Sequence, residues 1–574
     1  MPIAWGGLGQ PVPTPCRPYL FWEPIPYTPV GNRAEETRMM FDTLICNGML
    51  VDGTGAGARQ ADLGIRNEVI ADIGDLGDAT AGRTVDATGQ VVAPGFIDIH
   101  THSDLTLLAE PHGLSKILQG VTTEVTGNCG YSPFPISPER TETLRETLNS
   151  VFGDAVPWTW QDLEGYRQAA EEIGLAINIA PLVGHSAVRG MVVGFEDRPA
   201  TADEIRAMNY QVDQAMAQGA FGFSTGLTLP PSAYGDTAEI VALTEAMARW
   251  PGRIYTSHIR CWSGYHITGV QEAVDIGLAT GVPVQVAHMA VNDPRHWGEA
   301  DTVIEVCEDA VKSGHDVTFD VYPYDASSSG FSQCMPTWAQ SGGPTALLSR
   351  IRTPATRRQI RDDMLEEGLF RGWPWLWDRL LVSTTHTEAA KPYEGLTIQE
   401  AAHEMNLEPV DAALTLMDLD DARLTIIFFY RTEEDMCAFL THPLGMMGSD
   451  GLALTPGTRV GAGRPHPRSY GAHARVLGRY VREKSILTLE EAVYKMSGQV
   501  ANRLILRDRG RLQPGYKADI AVFDPETVAD RATFEDPHQF AAGVSHVFVN
   551  GALAVNNGTY VGSRTGQVLA AGQS

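Results

Sequence analysis

Two histidines separated by one residue are the first side chains in this sequence whose spacing suggests chemistry. His100 and His102 lie in GFIDIHTH, an apolar run typical of a buried β-strand. Because side chains alternate along a strand, both imidazoles project to the same side and can meet one ion. A histidine pair alone is weak support for a metal site, since each ring could equally be a hydrogen-bonded core residue.

Three further donors occupy similar positions near the ends of other predicted strands. Cys129 lies in TTEVTGNCG, His258 in IYTSHIR and His288 in VPVQVAHM. A single such cysteine is usually a buried apolar thiol. Repetition of imidazole and thiol donors at separate strand ends favours a metal centre instead. Ligands of this softness favour Zn²⁺ over Mg²⁺ or Ca²⁺.

Asp450, in GMMGSDG, is the candidate catalytic group because it closes the last predicted strand. The glycine that follows would let a substrate approach closely. A carboxylate at a metal centre can take a proton from water and deliver it to a leaving group. The alternative is that Asp450 only caps a turn. We predict that Asp450 is the general base and acid.

The elements that would position these side chains form a regular alternation. Between about residues 95 and 482, apolar strand-like runs alternate with amphipathic helical stretches, which predicts an α/β fold with a (β/α)₈ TIM barrel as the catalytic domain. Such barrels carry active sites at the C-terminal ends of their strands, where the donors lie. The interval 325–445 is too long for one βα unit, so we expect an inserted subdomain over the barrel mouth.

The two ends of the chain are predicted to build other parts. Residues 1–40 are rich in Pro, Gly and aromatics and indicate an extended arm that drapes over the body or bridges the subunits of a homo-oligomer. The alternative is that Met39 or Met40 is the true start. Short β-like runs in 41–94 return in 483–574, so these two segments are expected to pair as one β-sandwich domain.

Composition and charge limit the classes of partner. The 574 residues carry a formal net charge of -27, which would repel a polyanion, so we expect no nucleic-acid partner. The sequence shows no apolar stretch of about 18 residues and no signal-peptide pattern, so we expect no membrane partner. Seven cysteines without CxxC spacing favour a reducing, cytoplasmic location. The expected partner is a small-molecule substrate.

Together these motifs resemble the amidohydrolase superfamily, and specifically the N-acyl-D-amino-acid deacylase (D-aminoacylase) family, over about residues 41–560. The stretches that carry the resemblance are VVAPGFIDIHTHSD, GVTTEVTGNCG, FGFSTGLTLPPSAY, TSHIR, VPVQVAHM, HPLGMMGSDG, HPRSYGAHARVLGRYVRE and DRGRLQPGYKADIAVFDP. Many amidohydrolases bridge two metals with a carboxylated lysine. That arrangement is excluded here, because no lysine lies between Lys116 and Lys312.

The resemblance implies a cysteine in place of the bridging lysine. It assigns one tight zinc ion to Cys129, His258 and His288. It assigns a second, weaker site to His100 and His102, with Asp450 beside it.

The resemblance also implies that a lysine, an arginine and a tyrosine grip the α-carboxylate of the substrate, and two of these positions differ here. The lysine position is Ala290, and the arginine of the HPR motif is Arg468. The segment TPGTRVGAGR brings Arg459 and Arg464 near the mouth, where either would replace the lost lysine or remain a solvated loop charge.

The tyrosine position of the resemblance is also altered. In the family's GLxYPP pattern this chain has Leu229, and Tyr234 follows a few residues later, so we expect the position of Leu229 or that of Tyr234 to contact the substrate. Loss of the lysine and tyrosine makes the pocket less polar, which favours an uncharged or bulkier apolar substrate.

Three functions follow from these observations. We predict a zinc-dependent hydrolase of an amide C–N bond that resembles N-acyl-D-amino-acid deacylases. The alternative keeps the metal site but acts on a neutral or cyclic substrate such as a lactam, carbamate or ester. A non-catalytic scaffold is disfavoured, because loss of activity would usually remove some of the six donors.

Overall fold

The computed structural model describes residues 40–152, 156–261 and 266–572. The arm predicted over residues 1–40 therefore lies outside the described residues, apart from Met40, which begins the first strand. Within the described ranges, none of the helices has the length and apolar character needed to span a bilayer.

The described β-strands are distributed along the whole chain. They are β1 (Met40–Leu50), β2 (Arg59–Arg66), β3 (Val69–Gly74), β4 (Thr80–Asp86), β5 (Val91–Pro94), β6 (Phe96–Asp98), β7 (Val121–Thr126), β8 (Asn178–Pro181), β9 (Val183–Gly184), β10 (Gly222–Gly226), β11 (Ile254–His258), β12 (Val284–Val286), β13 (Val317–Val321), β14 (Ser327–Gly330), β15 (Leu380–Thr384), β16 (Thr425–Phe428), β17 (Gly445–Met447), β18 (Ile520–Phe523), β19 (Val544–Val549), β20 (Ala552–Asn556) and β21 (Thr559–Tyr560).

The α-helices of the described ranges lie between these strands. Those at Ala202–Ala217, Ile398–Met405 and Leu489–Lys495 begin at capping boxes, in which a threonine and a glutamate satisfy the first backbone N–H groups. The helices are α1 (Thr106–Ala109), α2 (Leu114–Ile117), α3 (Thr141–Phe152), α4 (Leu163–Ile173), α5 (His185–Val192), α6 (Ala202–Ala217), α7 (Thr237–Ala248), α8 (His266–Thr280), α9 (Ala300–Lys312), α10 (Thr337–Gln340), α11 (Pro344–Arg352), α12 (Pro354–Glu367), α13 (Ile398–Met405), α14 (Pro409–Leu419), α15 (Glu433–Thr441), α16 (Arg468–Arg475), α17 (Leu489–Lys495) and α18 (Gly498–Arg503). Short 3-10 turns span Ser232–Tyr234, Pro294–His296, Phe331–Cys334, Trp377–Arg379 and Lys391–Tyr393, and a π-helix spans Val476–Glu483.

One sheet joins the two ends of the described chain. Its strand order is β21-β20-β19-β18-β5-β1-β2-β3, with β4 paired to β1. The junction is the antiparallel pair β5 and β18, in which Val92 lies opposite Val522. Within the predicted segment 483–574, the strands begin only at β18, because α17 and α18 occupy the preceding stretch.

Eight parallel strand segments follow one another in chain order when β8 and β9, which are nearly continuous, are counted as one. Strands β6, β7 and β8 form one set, and β9, β10, β11, β12, β13 and β17 form the next. Only Leu182 separates β8 from β9. A parallel bridge between Thr101 and Gly451 connects the segment after β6 to the segment after β17. Valine, isoleucine and phenylalanine are buried on both faces of these strands, as expected where helices cover a parallel sheet.

The segment between β13 and β17 has a core of its own. Strands β14, β16 and β15 form an antiparallel sheet, and buried residues between Phe331 and Tyr430 form a separate cluster with helices α11 to α14. This segment lies within residues 325–445, where an insertion is predicted from the sequence. Helix α15, in the last part of that range, packs against α9 and β13 rather than joining that core.

Candidate metal centre and active site

The six predicted donors converge at one end of the parallel strands. They are His100 and His102 after β6, Cys129 after β7, His258 at the end of β11, His288 after β12 and Asp450 after β17. Cys129, His288 and Asp450 have φ angles of 54°, 35° and 52°, in the left-handed region that side chains rarely adopt. Such strain is often retained where the surrounding structure must aim a functional group.

A thiol and three imidazoles lie within reach of one another. Cys129 Sγ lies 3.3 Å from His100 Nε2 and 3.3 Å from His288 Nε2. His288 Nε2 lies 2.9 Å from His258 Nδ1, while Thr228 Oγ1 lies 2.6 Å from the other ring nitrogen of His258. Tetrahedral zinc coordination places S and N donors about 3.3 to 3.6 Å apart, so this donor set fits such an ion.

Cys129 belongs to two overlapping groups of donors. One group contains His100, His102 and Cys129, and the other contains Cys129, His258 and His288, with all donor atoms of each group within 4.8 Å of one another. Burial alone would raise the pKa of the Cys129 thiol, but the imidazoles of His288 and His100 hold that pKa well below its usual range. The thiolate, which is the ligand form of cysteine, is therefore favoured.

Asp450 is held between imidazoles and a guanidinium. Its Oδ1 lies 3.0 Å from His102 Nε2 and 3.5 Å from His100 Nε2, and its Oδ2 lies 2.8 Å from Arg468 Nη1. Burial alone would raise the pKa of Asp450, but the Arg468 guanidinium and the hydrogen bond from His102 hold it well below the usual range. The ionised form of the carboxylate, which is the form that a general base requires, is therefore favoured.

Asp320, which was not predicted from the sequence, orients two of the histidines. Asp320 Oδ1 lies 3.0 Å from His100 Nδ1 and accepts a hydrogen bond of 2.8 Å from the backbone N–H of His288. Its Oδ2 accepts a hydrogen bond from Gln285 Nε2 at 3.0 Å. Its position near the end of DVTFDVYPY, like the other strand-end donors, was a signal that could have found it.

A buried ion-pair cluster supports the chain on either side of the site. Lys116 Nζ lies 3.0 Å from both Asp98 Oδ2 and Glu124 Oε1, and it donates to Ser449 Oγ at 2.7 Å. Ser449 in turn donates its backbone N–H to Asp98 Oδ1 at 2.8 Å, just before Asp450. These contacts link β6, β7 and the segment after β17, which carry four of the six donors.

Comparisons with known proteins identify the family of this chain. Residues 83–361 and 385–555 match the model described as "Amidohydrolase family". A D-aminoacylase of Alcaligenes xylosoxydans xylosoxydans is 36% identical over 92% of this chain and 98% of its own length. This chain belongs to the amidohydrolase family. Within the family, the sequence identity and coverage place it with the D-aminoacylases, as a metal-dependent enzyme acting on C–N bonds other than peptide bonds.

Two solved structures have the same fold as this amidohydrolase over nearly its whole length. An N-acyl-D-glutamate deacylase from Bordetella bronchiseptica, complexed with zinc and a phosphonate inhibitor that mimics the tetrahedral intermediate, is 34% identical with a TM-score of 0.77, and the match covers 93% of this chain and 100% of the other. A D-aminoacylase studied for its binuclear metal centre is 35% identical with a TM-score of 0.77, covering 92% and 100%.

All the donors except His100 line a cavity that also receives side chains from the segment between β13 and β17. Of the predicted substrate-binding residues, Leu229, Ala290 and Arg468 line the cavity. Tyr234 is not among the lining residues, because its hydroxyl donates to the Thr337 carbonyl at 3.0 Å. The predicted contact of Tyr234 with substrate is therefore not supported by its position.

The two loop arginines considered as substitutes for the missing lysine differ in position. Arg459 lines the cavity, whereas Arg464 is exposed and lies outside the lining. Among the lining residues that were not predicted from the sequence are Tyr322 and Arg431. The Arg431 guanidinium lies 4.3 Å from the centroid of the Tyr322 ring. Tyr322 lies in the same DVYPY stretch as Asp320, whereas nothing in the sequence near Arg431 marks it.

Proposed function

We propose that this amidohydrolase is a zinc-dependent deacylase of N-acyl-D-amino acids or closely related N-acyl compounds. The observation that carries the proposal is the convergence of one thiol, four imidazoles and one carboxylate at the ends of separate parallel strands. The similarity to D-aminoacylases and to a zinc-bound N-acyl-D-glutamate deacylase supports the same reaction. We also infer that the eight parallel segments close a (β/α)₈ barrel, that the two chain ends form a β-sandwich, and that the inserted segment covers the barrel mouth.

The proposed ligands divide into a tight and a weaker site. Cys129, His258 and His288 would hold the tight zinc ion, since they supply one thiolate and two imidazoles. His100 and His102 would contribute to a second, weaker site that shares Cys129. When bound, Zn²⁺ polarises the scissile carbonyl and lowers the pKa of water towards about 7.

The side chains then perform the proton transfers. Asp450 accepts a proton from the attacking water, because its carboxylate is ionised and adjoins the candidate ligands. As the C–N bond breaks, Asp450 delivers that proton to the leaving nitrogen. The products are a carboxylic acid, which then releases its proton to solvent, and a free amine. Asp320 keeps the His100 ring in position throughout by its contact with Nδ1.

A second candidate function is the hydrolysis of a neutral or cyclic amide. Ala290 and Leu229 favour it, because both line the cavity with apolar side chains where the family resemblance expects a lysine and a tyrosine. A non-catalytic scaffold is disfavoured, because all six donors are present and brought together.

A single substrate panel separates these functions. N-acetyl-D-amino acids, their L enantiomers, neutral amides and lactams are assayed with zinc-loaded protein and with Asp450→Asn. The proposal expects the D-acids to have the highest kcat/KM and the variant to be nearly inactive. Preference for the neutral amides or lactams would establish the second function. An inactive wild-type protein with stoichiometric zinc would contradict both.

A further inference from the structure

We propose that Arg431, carried to the cavity by the inserted segment, binds the substrate carboxylate in place of the lysine missing at Ala290. The inference rests on the proposed function, because it names the charged group of the substrate that the same cavity accepts. The ligand class is an N-acyl amino acid with a free carboxylate and an apolar remainder.

The position of Arg431 is fixed from two sides. It follows β16, which is the central strand of the inserted sheet. Its Nε donates to Asn292 Oδ1 at 2.8 Å, and its guanidinium lies 4.3 Å from the Tyr322 ring centroid. Asn292 lies two residues after Ala290, so the guanidinium is anchored next to the place where the family resemblance expects a lysine. Among the described residues, its two Nη atoms have no hydrogen-bond partner and remain able to bind an anion.

Arg468 does not replace this charge by itself. Its Nη1 lies 2.8 Å from Asp450 Oδ2, so much of its charge is already balanced by that carboxylate. Its guanidinium lies 4.7 Å from the same Tyr322 ring, which places both arginines around one aromatic side chain. A carboxylate that enters here therefore finds in Arg431 a guanidinium that forms no salt bridge with an acid among the described residues.

Tyr322 provides an independent sign that a polar ligand is accommodated. It is 1% exposed, and its hydroxyl has no hydrogen-bond partner among the described residues. A buried hydroxyl without a partner is costly unless a ligand or water satisfies it.

Aromatic rings form one part of the inserted wall, beside serines, threonines and Gln333 that also line it. Phe370, Trp373 and Phe428 line the cavity with aromatic rings, and Leu229 lines it from the barrel side. A second carboxylate beside these rings would lose its hydration without a matching cation. An apolar side chain or acyl group fits this surface better.

The test compares a charged ligand with its neutral counterpart. The best N-acetyl-D-amino acid of the panel is the substrate, and its C-terminal carboxamide is measured as a competitive ligand through its Ki. Arg431→Met is expected to raise KM for the acid about 10- to 100-fold, as expected for loss of a charge-assisted hydrogen bond. The kcat value and the Ki of the carboxamide should each stay within about 3-fold, and Arg431→Lys should recover part of the KM effect.

Two further variants serve as controls for this test. Arg431→Gln keeps hydrogen-bonding capacity without the charge and serves if Arg431→Met does not fold, as judged by thermal unfolding. Arg464→Met is the matched control, because that exposed arginine lies outside the cavity, and it should change neither constant.

The outcomes separate this inference from the proposed function. An unchanged KM for the acid in Arg431→Met and Arg431→Gln would overturn the role of Arg431. Equal losses for the acid and the carboxamide would overturn it as well, since they indicate a structural effect. If the wild-type protein hydrolyses no N-acyl-amino acid, the proposed function itself fails.

Discussion

Two regions of the cavity are built in different ways. One is the cluster of six donors at the strand ends, and the other is the inserted wall, formed by the segment between β13 and β17. The cluster takes its donors from the ends of parallel strands, and Asp320 and the Lys116 ion pairs hold them in place. The inserted wall presents Arg431 and aromatic rings on a separate sheet with its own core. On the proposed function, the strand ends supply the chemistry and the inserted segment selects the substrate.

The largest effect is expected from removal of the proton-transfer group of the cluster. Asp450→Asn should lower kcat about 1000-fold, because a positioned acid and base contributes roughly 10²- to 10⁴-fold. The exposed Asp325→Asn is the matched control and should retain activity. The measurement is steady-state hydrolysis together with metal content by elemental analysis. A variant that keeps more than about a tenth of the wild-type kcat would show that Asp450 does not transfer the proton.

The separate core of the insert can be weakened without touching the donors. Leu347 is 1% exposed within that core, so Leu347→Ala should lower the free energy of unfolding by about 2 to 5 kcal/mol. The neighbouring Leu348 is only partly buried, so Leu348→Ala should lower the free energy of unfolding by a smaller amount. Zinc content should be unchanged in both. Loss of zinc in folded Leu347→Ala would contradict the independence of the two regions.

Substitution of Asp320 is expected to have a smaller effect on activity, which excess zinc should largely reverse. Asp320→Asn removes the charge that orients His100, and such outer contacts are typically worth 10- to 100-fold in metal affinity. Zinc titration should show this weakening, and excess zinc should restore much of the activity. No rescue is expected for Asp450→Asn. If excess zinc rescues neither variant, Asp320 does more than position a ligand.

The smallest effect is expected on the apolar part of the insert. Phe370 lines the cavity and is half-buried, so Phe370→Ala should raise KM a few-fold for substrates with a bulky apolar group. The kcat value should be nearly unchanged, and substrates with a methyl side chain should be little affected. A comparable fall in kcat for all substrates would show that the insert contributes to the chemical step.

The parts predicted from sequence are those fixed by local periodicity. Apolar runs such as VPVQVAHM and GMMGSD predicted strands, and β12 and β17 lie within them. The donors could be recognised because each closes such a run, and parallel strands bring their ends together. The pairing of the chain ends was also predicted, and β5 pairs with β18.

The parts that escaped prediction depend on long-range placement. Arg431 meets Asn292 across 139 residues of sequence, and no local pattern reports that contact. Tyr234 was expected near the substrate from its closeness in sequence to Leu229, yet its hydroxyl turns to the Thr337 carbonyl. Side-chain direction in irregular segments is set by tertiary packing, which periodicity does not reveal.

Removal and return of the metal tests the central claim most directly. The purified protein is treated with a chelator, dialysed, and reconstituted with increasing zinc while bound metal and hydrolysis of the best N-acyl-D-amino acid are measured together. We expect activity to disappear with the metal and to return with the first equivalent of zinc, while Cys129→Ala fails to recover either. Full activity in the metal-free protein, or in Cys129→Ala without bound zinc, would contradict the account.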